Sequence, residues 1–407
     1  MISYRLGDEH EQLRLTVAEF ARDVVAPVIG GFYERGEFPY EIIARMGKLG
    51  LFGLPFPEEY GGMGGDFFAL CLALHELARV DSSVAITLEA AMALGAMPIY
   101  RFGDAEQRAR WLPDLCRGER LAAFGLTEPG GGSDIPGGMR TTARLEKGDG
   151  PARGEGEWVI DGSKAFITNS GTAITSVVTV LAITGRSGDR NEISAIIVPS
   201  GTAGFTVGPE YSKVGWCASD TRELSFASCR VPSDNLLGQR GRGYAQFLQT
   251  LDEGRVAIAA LSAGLAQGCV DESLRYVGER TAFGHRLGYY QDIQFKIADM
   301  EVRAHGARIA WYDAAARLQA GEPIKKQAAI AKLTASNAAM DNARDATQIF
   351  GGYGFMNEFP VARFYRDAKV LEIGEGTSEV QRMIIARQLG LGRAVPGGLA
   401  DESSAEA

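Results

Sequence analysis

The chain has little of what metal centres and disulfide frameworks are built from. Its 407 residues include only five cysteines and four histidines. Cys71, Cys116, Cys217, Cys229 and Cys269 show no CxxC spacing and the histidines form no HExxH, so neither a zinc site nor a set of disulfides is expected. Also missing is a GxGxxG between a strand and a helix, which disfavours a nicotinamide-type dinucleotide fold. There is no basic excess: net charge is −9, the acids are spread along the chain, and no nucleic-acid signature is visible, so no nucleic-acid partner is expected. The start, MISYRLGDEHEQ, turns acidic early and has neither a signal-peptide core nor an Arg-rich transit pattern. The longest weakly polar stretch, VAIAALSAGLAQGCV, is too short and too interrupted to cross a bilayer. These absences lead to the expectation of a cytoplasmic protein with no membrane partner.

What is present is ordinary for a globular chain, with 45% hydrophobic and 23% charged residues. At about 150 residues per domain, the length suits two or three domains. Residues 8 to about 120 read as helical. Asp8 with Glu11, and Asp104 with Gln107, have capping-box spacing, and Leu13, Val17, Phe20 and Val24 recur at the helical period. PEEYGGMGGD is a glycine-rich loop, and residues 67–99 are apolar on more than one face, as buried helices are. After Gly125 the turn-forming TEPGGGSDIPGG leads into EWVIDGSKAFITN, SVVTVLAIT, EISAIIVP and RELSFASCRVP. These β-branched segments suit a small barrel or sandwich. Helical periodicity returns over about 242–280, 290–320 and 325–350, and a last helix follows Ser378, which has capping-box spacing to Gln381. The expected fold class is therefore α+β multidomain, with a helical domain (1–122), a middle β domain (123–232), a second helical domain (233–391) and a disordered tail (392–407).

Glycine marks several places where chemistry could sit. TEPGGGSD (127–134) offers backbone N–H groups and small hydroxyls able to hold phosphates or the edge of a ring, though a flexible linker reads the same way. In AFITN (165–169), Phe166 and Thr168 alternate along a strand and would share one face, or form a half-buried strand with no ligand. QIFGGYG (348–354) looks like a helix end capped by glycine. IGEGTSEVQR (373–382) puts one carboxylate, Glu375, between two glycines before a helix. On residues alone, a solvated acid that favours the helix dipole explains it.

Taken in order, these segments resemble the acyl-CoA dehydrogenase family over residues 8–391. PEEYGG, LTEPGGGSD, DGSKAFITN, KVGWCASDTRELSF, RVP, LDEGRVAIAA, ERTAFGHRLGYYQ, QIFGGYG, RDAKVLEIGEGTSEVQR and IARQLG carry the likeness. The resemblance implies an N-terminal helical domain, a middle β domain and a C-terminal four-helix bundle. It implies FAD, an acyl-CoA substrate, an electron-transfer flavoprotein as partner, and a homotetramer whose subunits share flavin contacts. By similarity, Phe124, Leu126, Thr127, Gly132 and Ser133 would line the flavin, and Phe166, Ile167 and Thr168 its other side. Relatives often have tryptophan at Phe166, so an indole N–H donor is lost here. Arg280, Phe283 and Gln291 would reach a neighbour's FAD and Gln348, Gly351 and Gly352 its pyrophosphate, with Thr377 and Glu379 also close. An arginine would suit a diphosphate through paired charged hydrogen bonds, whereas the residue alone equally fits a surface ion pair. Glu375 would be the base that removes a proton beside a thioester carbonyl. Some relatives carry that base on the long helix, where this chain has Gly254. Ser133, Asp252 and Arg255 would meet the CoA portion and Gly376 the thioester, although Asp252 and Arg255 also fit a helix ion pair. Gly374 replaces a tyrosine common in straight-chain members, which implies a short, branched acyl group. An oxidase, or a non-redox thioester-binding protein, would share the scaffold.

Overall fold

A computed structural model describes residues 5–146 and 156–392. The tail expected from 392 lies, from residue 393 on, outside the described residues. The first helical part comprises α1 (Asp8–Phe20), α2 (Ala26–Arg35), α3 (Tyr40–Lys48), α4 (Phe67–Ala78), α5 (Ser82–Glu89), α6 (Met97–Phe102) and α7 (Ala105–Cys116). Then come β1 (Leu121–Gly125), the one-turn α8 (Ile135–Gly138), β2 (Thr142–Glu146), β3 (Glu157–Thr168), β4 (Thr175–Ser187), β5 (Arg190–Pro199), β6 (Phe205–Glu210), β7 (Thr221–Pro232) and β8 (Leu236–Leu237). The 37-residue α9 (Gly243–Glu279) follows, then a small hairpin, α10 (Gln291–Gln319), α11 (Lys325–Phe350), α12 (Pro360–Leu371) and α13 (Ser378–Gln388).

Helix ends test the capping assignments individually. At α7 both arms of the box are present: Asp104 accepts from the Gln107 amide at 2.8 Å, and the Gln107 side chain accepts from the Asp104 amide at 3.2 Å. The same Gln107 then donates to the Asp234 and Leu236 carbonyls, tying α7 to the strands. At α1 the expectation is corrected. The cap is Gly7, whose carbonyl accepts from Glu11 N, and Asp8 is already inside the first turn. Its carboxylate still favours the dipole, while Glu11 pairs with Arg14. Residues 82–102 are long and apolar enough to cross a membrane, and 94% of that apolar window is buried inside the protein, as expected for a run apolar on every face.

The eight strands form one sheet in the order β6-β7-β3-β2-β4-β5-β8, with β1 parallel to β4. β4 explains why SVVTVLAIT is apolar without alternation. Val178, Val180 and Ala182 join an inner core with Trp158, Ile196 and Phe226, while Val177 and Leu181 face the main core shared with the helices. A strand buried on both faces has no polar side. The strand region begins at Leu121, earlier than the change of character after Gly125 suggests, because LAAFG is as small and apolar as the helices before it. β2, β6 and α12 were also not foreseen. In α12, Val361, Phe364, Ala368 and Leu371 are buried at helical spacing behind a proline in the first turn.

α9 is the axis of the second helical part, packed by α4, α10 and α11. A Cβ at Gly264 would lie 2.1 Å from the His75 carbonyl oxygen, so only glycine lets α4 approach this closely. A buried carboxylate locks the two helical parts together. Asp367 of α12 accepts from Tyr33 Oη (2.6 Å), Ser82 Oγ (2.6 Å) and Trp216 N (2.7 Å). Asp367→Ala would leave three donors unpaired, the buried Tyr33 and Ser82 hydroxyls and the half-buried Trp216 amide, at about 1–3 kcal/mol for each buried group. Thermal and urea denaturation should show a loss of more than about 2 kcal/mol, and an unchanged midpoint would contradict this account of the lock.

Candidate active site

Between α12 and α13 the chain makes a turn with two consecutive left-handed residues, Glu375 (φ 54°) and Gly376 (φ 93°). Glycine is at ease there; a glutamate is not, and such strain persists only where the surroundings impose it. Thr377, not Ser378, caps α13, accepting from Val380 N at 3.3 Å. The capping-box expectation is therefore off by one residue. Gln381 instead reaches back, its amide donating to the Gly376 carbonyl (2.8 Å) and the Glu375 carbonyl (3.3 Å). Lys332 of α11, fully buried, donates to Gly376 O at 2.9 Å, and Arg255 Nε lies 3.4 Å from Glu375 O. Three donors thus fix the backbone that aims one side chain inward.

That side chain ends with its carboxyl group buried. Glu375 is partly exposed as a residue, yet both its carboxyl oxygens are buried and, among the described residues, have no hydrogen-bond partner other than the Glu89 carboxyl. It points at Gly254 on α9, where a Cβ would fall 2.4 Å from Glu375 Oε2 and 3.0 Å from Leu94 Cδ2. The neighbouring Glu253 faces away and pairs with Arg101 at 2.8 Å. Burial pushes the Glu375 pKa up to about 7, against a hydrogen bond from Glu89 and the charges of Arg255 and Lys332. The same burial pulls Lys332 down to about 8, against the pull of Glu375. A carboxyl that titrates near neutrality and faces an apolar wall is suited to taking a proton from a weak carbon acid.

Two residues of this pocket, Glu89 and Lys332, were missed. Glu89 is the one charged residue in SSVAITLEAAMALGAM, and Lys332 sits on an alanine-rich helix face. An isolated charge in an otherwise buried run was the available signal.

The glycine-rich loop and β3 come together. Ala165 N donates to Thr127 O at 2.8 Å, and the buried Lys164 pairs with Glu128 at 2.7 Å. Side-chain directions differ from expectation. Phe124 stacks on Phe247 of α9 at 3.9 Å, and Leu126 and Ile167 are buried, so these three can offer a ligand little beyond their backbone. The alternation of Phe166 with Thr168 is broken by a bulge between Lys164 and Ile167, where Phe166 takes φ 61°. The result is an outward-facing ring, 66% exposed, tilted against Tyr211. Gly132 and Ser133 are exposed as well. Asp252 and Arg255 form the helix ion pair that was the alternative reading, with Arg255 also touching the Glu375 backbone.

A second group lies elsewhere. Arg280, Phe283 and Gln291 follow the C-terminal end of α9, and Arg280 sits over the Tyr353 ring beside the exposed Gln348, Gly351 and Gly352. From Gly254 to the end of α9 at residue 279 is about 37 Å at 1.5 Å per residue, so Glu375 and this group cannot meet on one ring system within one chain.

With this geometry in place, comparison with known proteins is decisive. The chain matches the acyl-CoA dehydrogenase N-terminal domain over residues 7–119, the middle domain over 123–229 and the C-terminal domain over 241–390. The chain belongs to the acyl-CoA dehydrogenase family. It is 42% identical over 388 residues to the short-chain specific acyl-CoA dehydrogenase of Clostridium acetobutylicum, covering 95% of this chain and 100% of the relative. Among solved structures, butyryl-CoA dehydrogenase from Megasphaera elsdenii is similar with a TM-score of 0.90 and 40% identity, over 95% of this chain and 100% of that one. A chain in a structure described as the electron transferring flavoprotein of Acidaminococcus fermentans is similar with a TM-score of 0.90 and 39% identity, over 95% and 99%.

Acyl-CoA dehydrogenases are FAD-dependent oxidoreductases. The residues present fit that cofactor. The outward Phe166 ring offers a flat apolar face, and a Cβ at Gly132, Gly351 or Gly352 would meet nothing within 4 Å, so each backbone is open to a ligand.

Proposed function

We propose that this acyl-CoA dehydrogenase oxidises a short-chain, branched acyl-CoA to its 2-enoyl-CoA in the cytoplasm, with Glu375 as the base. The observation that carries this reading is the buried carboxyl of Glu375 facing the bare Gly254. Glu375 would take the α-proton on a carboxyl oxygen, and Arg255, Lys332 and Gln381 would hold its backbone while it does so. FAD, when bound, supplies the acceptor for the β-hydride. Thr127, Gly132, Ser133, Phe166 and Thr168 would hold the flavin ring of one subunit, with Thr377 and Glu379 close by. Arg280, Phe283, Gln291, Gln348, Gly351 and Gly352 would hold the FAD of a neighbour. The roughly 37 Å of α9 that separates Gly254 from the Arg280 group, together with the exposure of Phe283, Phe295, Val302 and Phe355, supports an assembly, which we read as a homotetramer. Ser133, Asp252 and Arg255 would approach the CoA portion, and Gly376 the thioester. At Gly374 the nearest atom to an added Cβ is Val370 O at 3.5 Å, so the space a tyrosine ring would fill is left for branching. An electron-transfer flavoprotein would take the electrons onward; the likeness to the Acidaminococcus structure supports this.

The test is anaerobic mixing of the purified holoenzyme with a panel of acyl-CoAs. Isobutyryl-, 2-methylbutyryl- or isovaleryl-CoA should bleach the flavin band faster than octanoyl-CoA. Preference for octanoyl-CoA would overturn the branched reading, and no bleaching by any thioester would overturn the activity. Oxygen uptake with substrate and no mediator would make the protein an oxidase.

A further inference from the structure

Resting on the proposed role of Glu375, a second carboxyl in the same pocket gains a function. Glu89 ends α5, is completely buried, and has no hydrogen-bond partner on either oxygen if both acids are taken as ionised. The Glu89 and Glu375 carboxyls lie within hydrogen-bonding reach of each other. Two bare carboxylates cannot both stay ionised this close together away from water. One proton between them removes the repulsion and gives each group the partner it lacks.

The surrounding charges decide which group keeps it. Around Glu375 stand Arg255 from α9, which also holds Asp252, and Lys332 from α11, itself influenced by Glu372 and Glu379 beside the turn. Around Glu89, among the described residues, Glu375 is the group that acts on its charge, and the buried Cys71 thiol of α4, close enough to feel Glu89, stays neutral there. The cations therefore favour ionisation of Glu375. We propose that Glu89 is a positioning residue that keeps its proton and donates it as a hydrogen bond to Glu375, aiming the carboxylate and holding it ionised. No bond to carbon involves Glu89. The α-proton passes to Glu375, Glu89 retains its own, and both acids end the step neutral. Consistent with this, burial first, then the charge of Glu375 and the hydrogen bond to it, hold Glu89 far above the usual carboxylic range.

The test compares anaerobic flavin bleaching by butyryl-CoA as a function of pH in wild type, Glu89→Leu and Glu89→Gln holoenzymes. Glu89→Leu removes the donor, so the rising limb should move to higher pH by roughly one unit, about tenfold slower bleaching below the limb. Glu89→Gln still offers an N–H and should keep the limb near its wild-type place. Independently of turnover, the infrared carbonyl band of a protonated carboxyl should persist in wild type at pH above the Glu375 limb and vanish in Glu89→Gln. An unmoved limb in Glu89→Leu, or a band that survives Glu89→Gln, would overturn the proposal. If butyryl-CoA does not bleach even the wild type, the proposed activity falls, while the infrared comparison still decides the proton-sharing pair.

Discussion

Glu375→Gln is expected to leave FAD bound and acyl-CoA binding near normal while kcat falls by about 10²–10⁴, the span typical of a removed general base. The substitution keeps size and polarity, so the strained turn and its three backbone donors stay in place. Only the capacity to take a proton is lost. Among the described residues no nearby group can replace it. Glu253 is committed to Arg101, Gly254 has no side chain, and Glu89 lacks the cations that would ionise it. Steady-state kinetics with butyryl-CoA and an artificial acceptor, beside the visible spectrum, check both halves. Near-normal turnover with bound flavin would refute Glu375 as the base.

Gly254→Ala should be almost as damaging, although it adds one methyl group to a helix that would otherwise welcome alanine. The new Cβ would need to sit 2.4 Å from Glu375 Oε2, with Leu94 blocking retreat at 3.0 Å. The helix cannot shift, because Val256, Ala257 and Ala260 are fully packed. The carboxyl must therefore move. A misplacement of about 1 Å can cost about 10²-fold in rate, so kcat/KM should fall on that order while the flavin remains bound. Full activity in Gly254→Ala would mean that Glu375 does not work from where the structure puts it. The same contact gives a physical reason for a bare α9 here: a base on the turn and a side chain at 254 compete for one space.

Much of the fold was legible in the sequence because its signals are periodic. α9, α10 and α11 begin and end within a residue or so of the expected bounds, and the long runs of β3, β4, β5 and β7 appear as strands. What escaped was short or ambiguous. LAAFG could be helix or strand, and α12 lies inside a segment whose motif distracted from its period. The capping errors at α1 and α13 are one-residue shifts, because Gly7 and Thr377 cap as well as the acids and hydroxyls beside them. The site was legible as a set of segments, not as a pocket. That Glu375 faces Gly254 was implied by their competing for one role. That Glu89 faces Glu375 was not, since 286 residues separate them and only folding brings α5 to the turn. The bulge that turns Phe166 outward was equally invisible, because its residues are ordinary strand formers.

The most direct test of Glu375 as a buried base is the pH dependence of the first half-reaction, followed as anaerobic bleaching of the wild-type flavin by butyryl-CoA. A base acts only when ionised, and burial has raised this one to about 7. The bleaching rate should therefore rise with pH through a single limb near 7 and level off above it, and Glu375→Gln should show no such limb. A wild-type rate that is flat across neutrality, or that rises toward acid, would contradict the account.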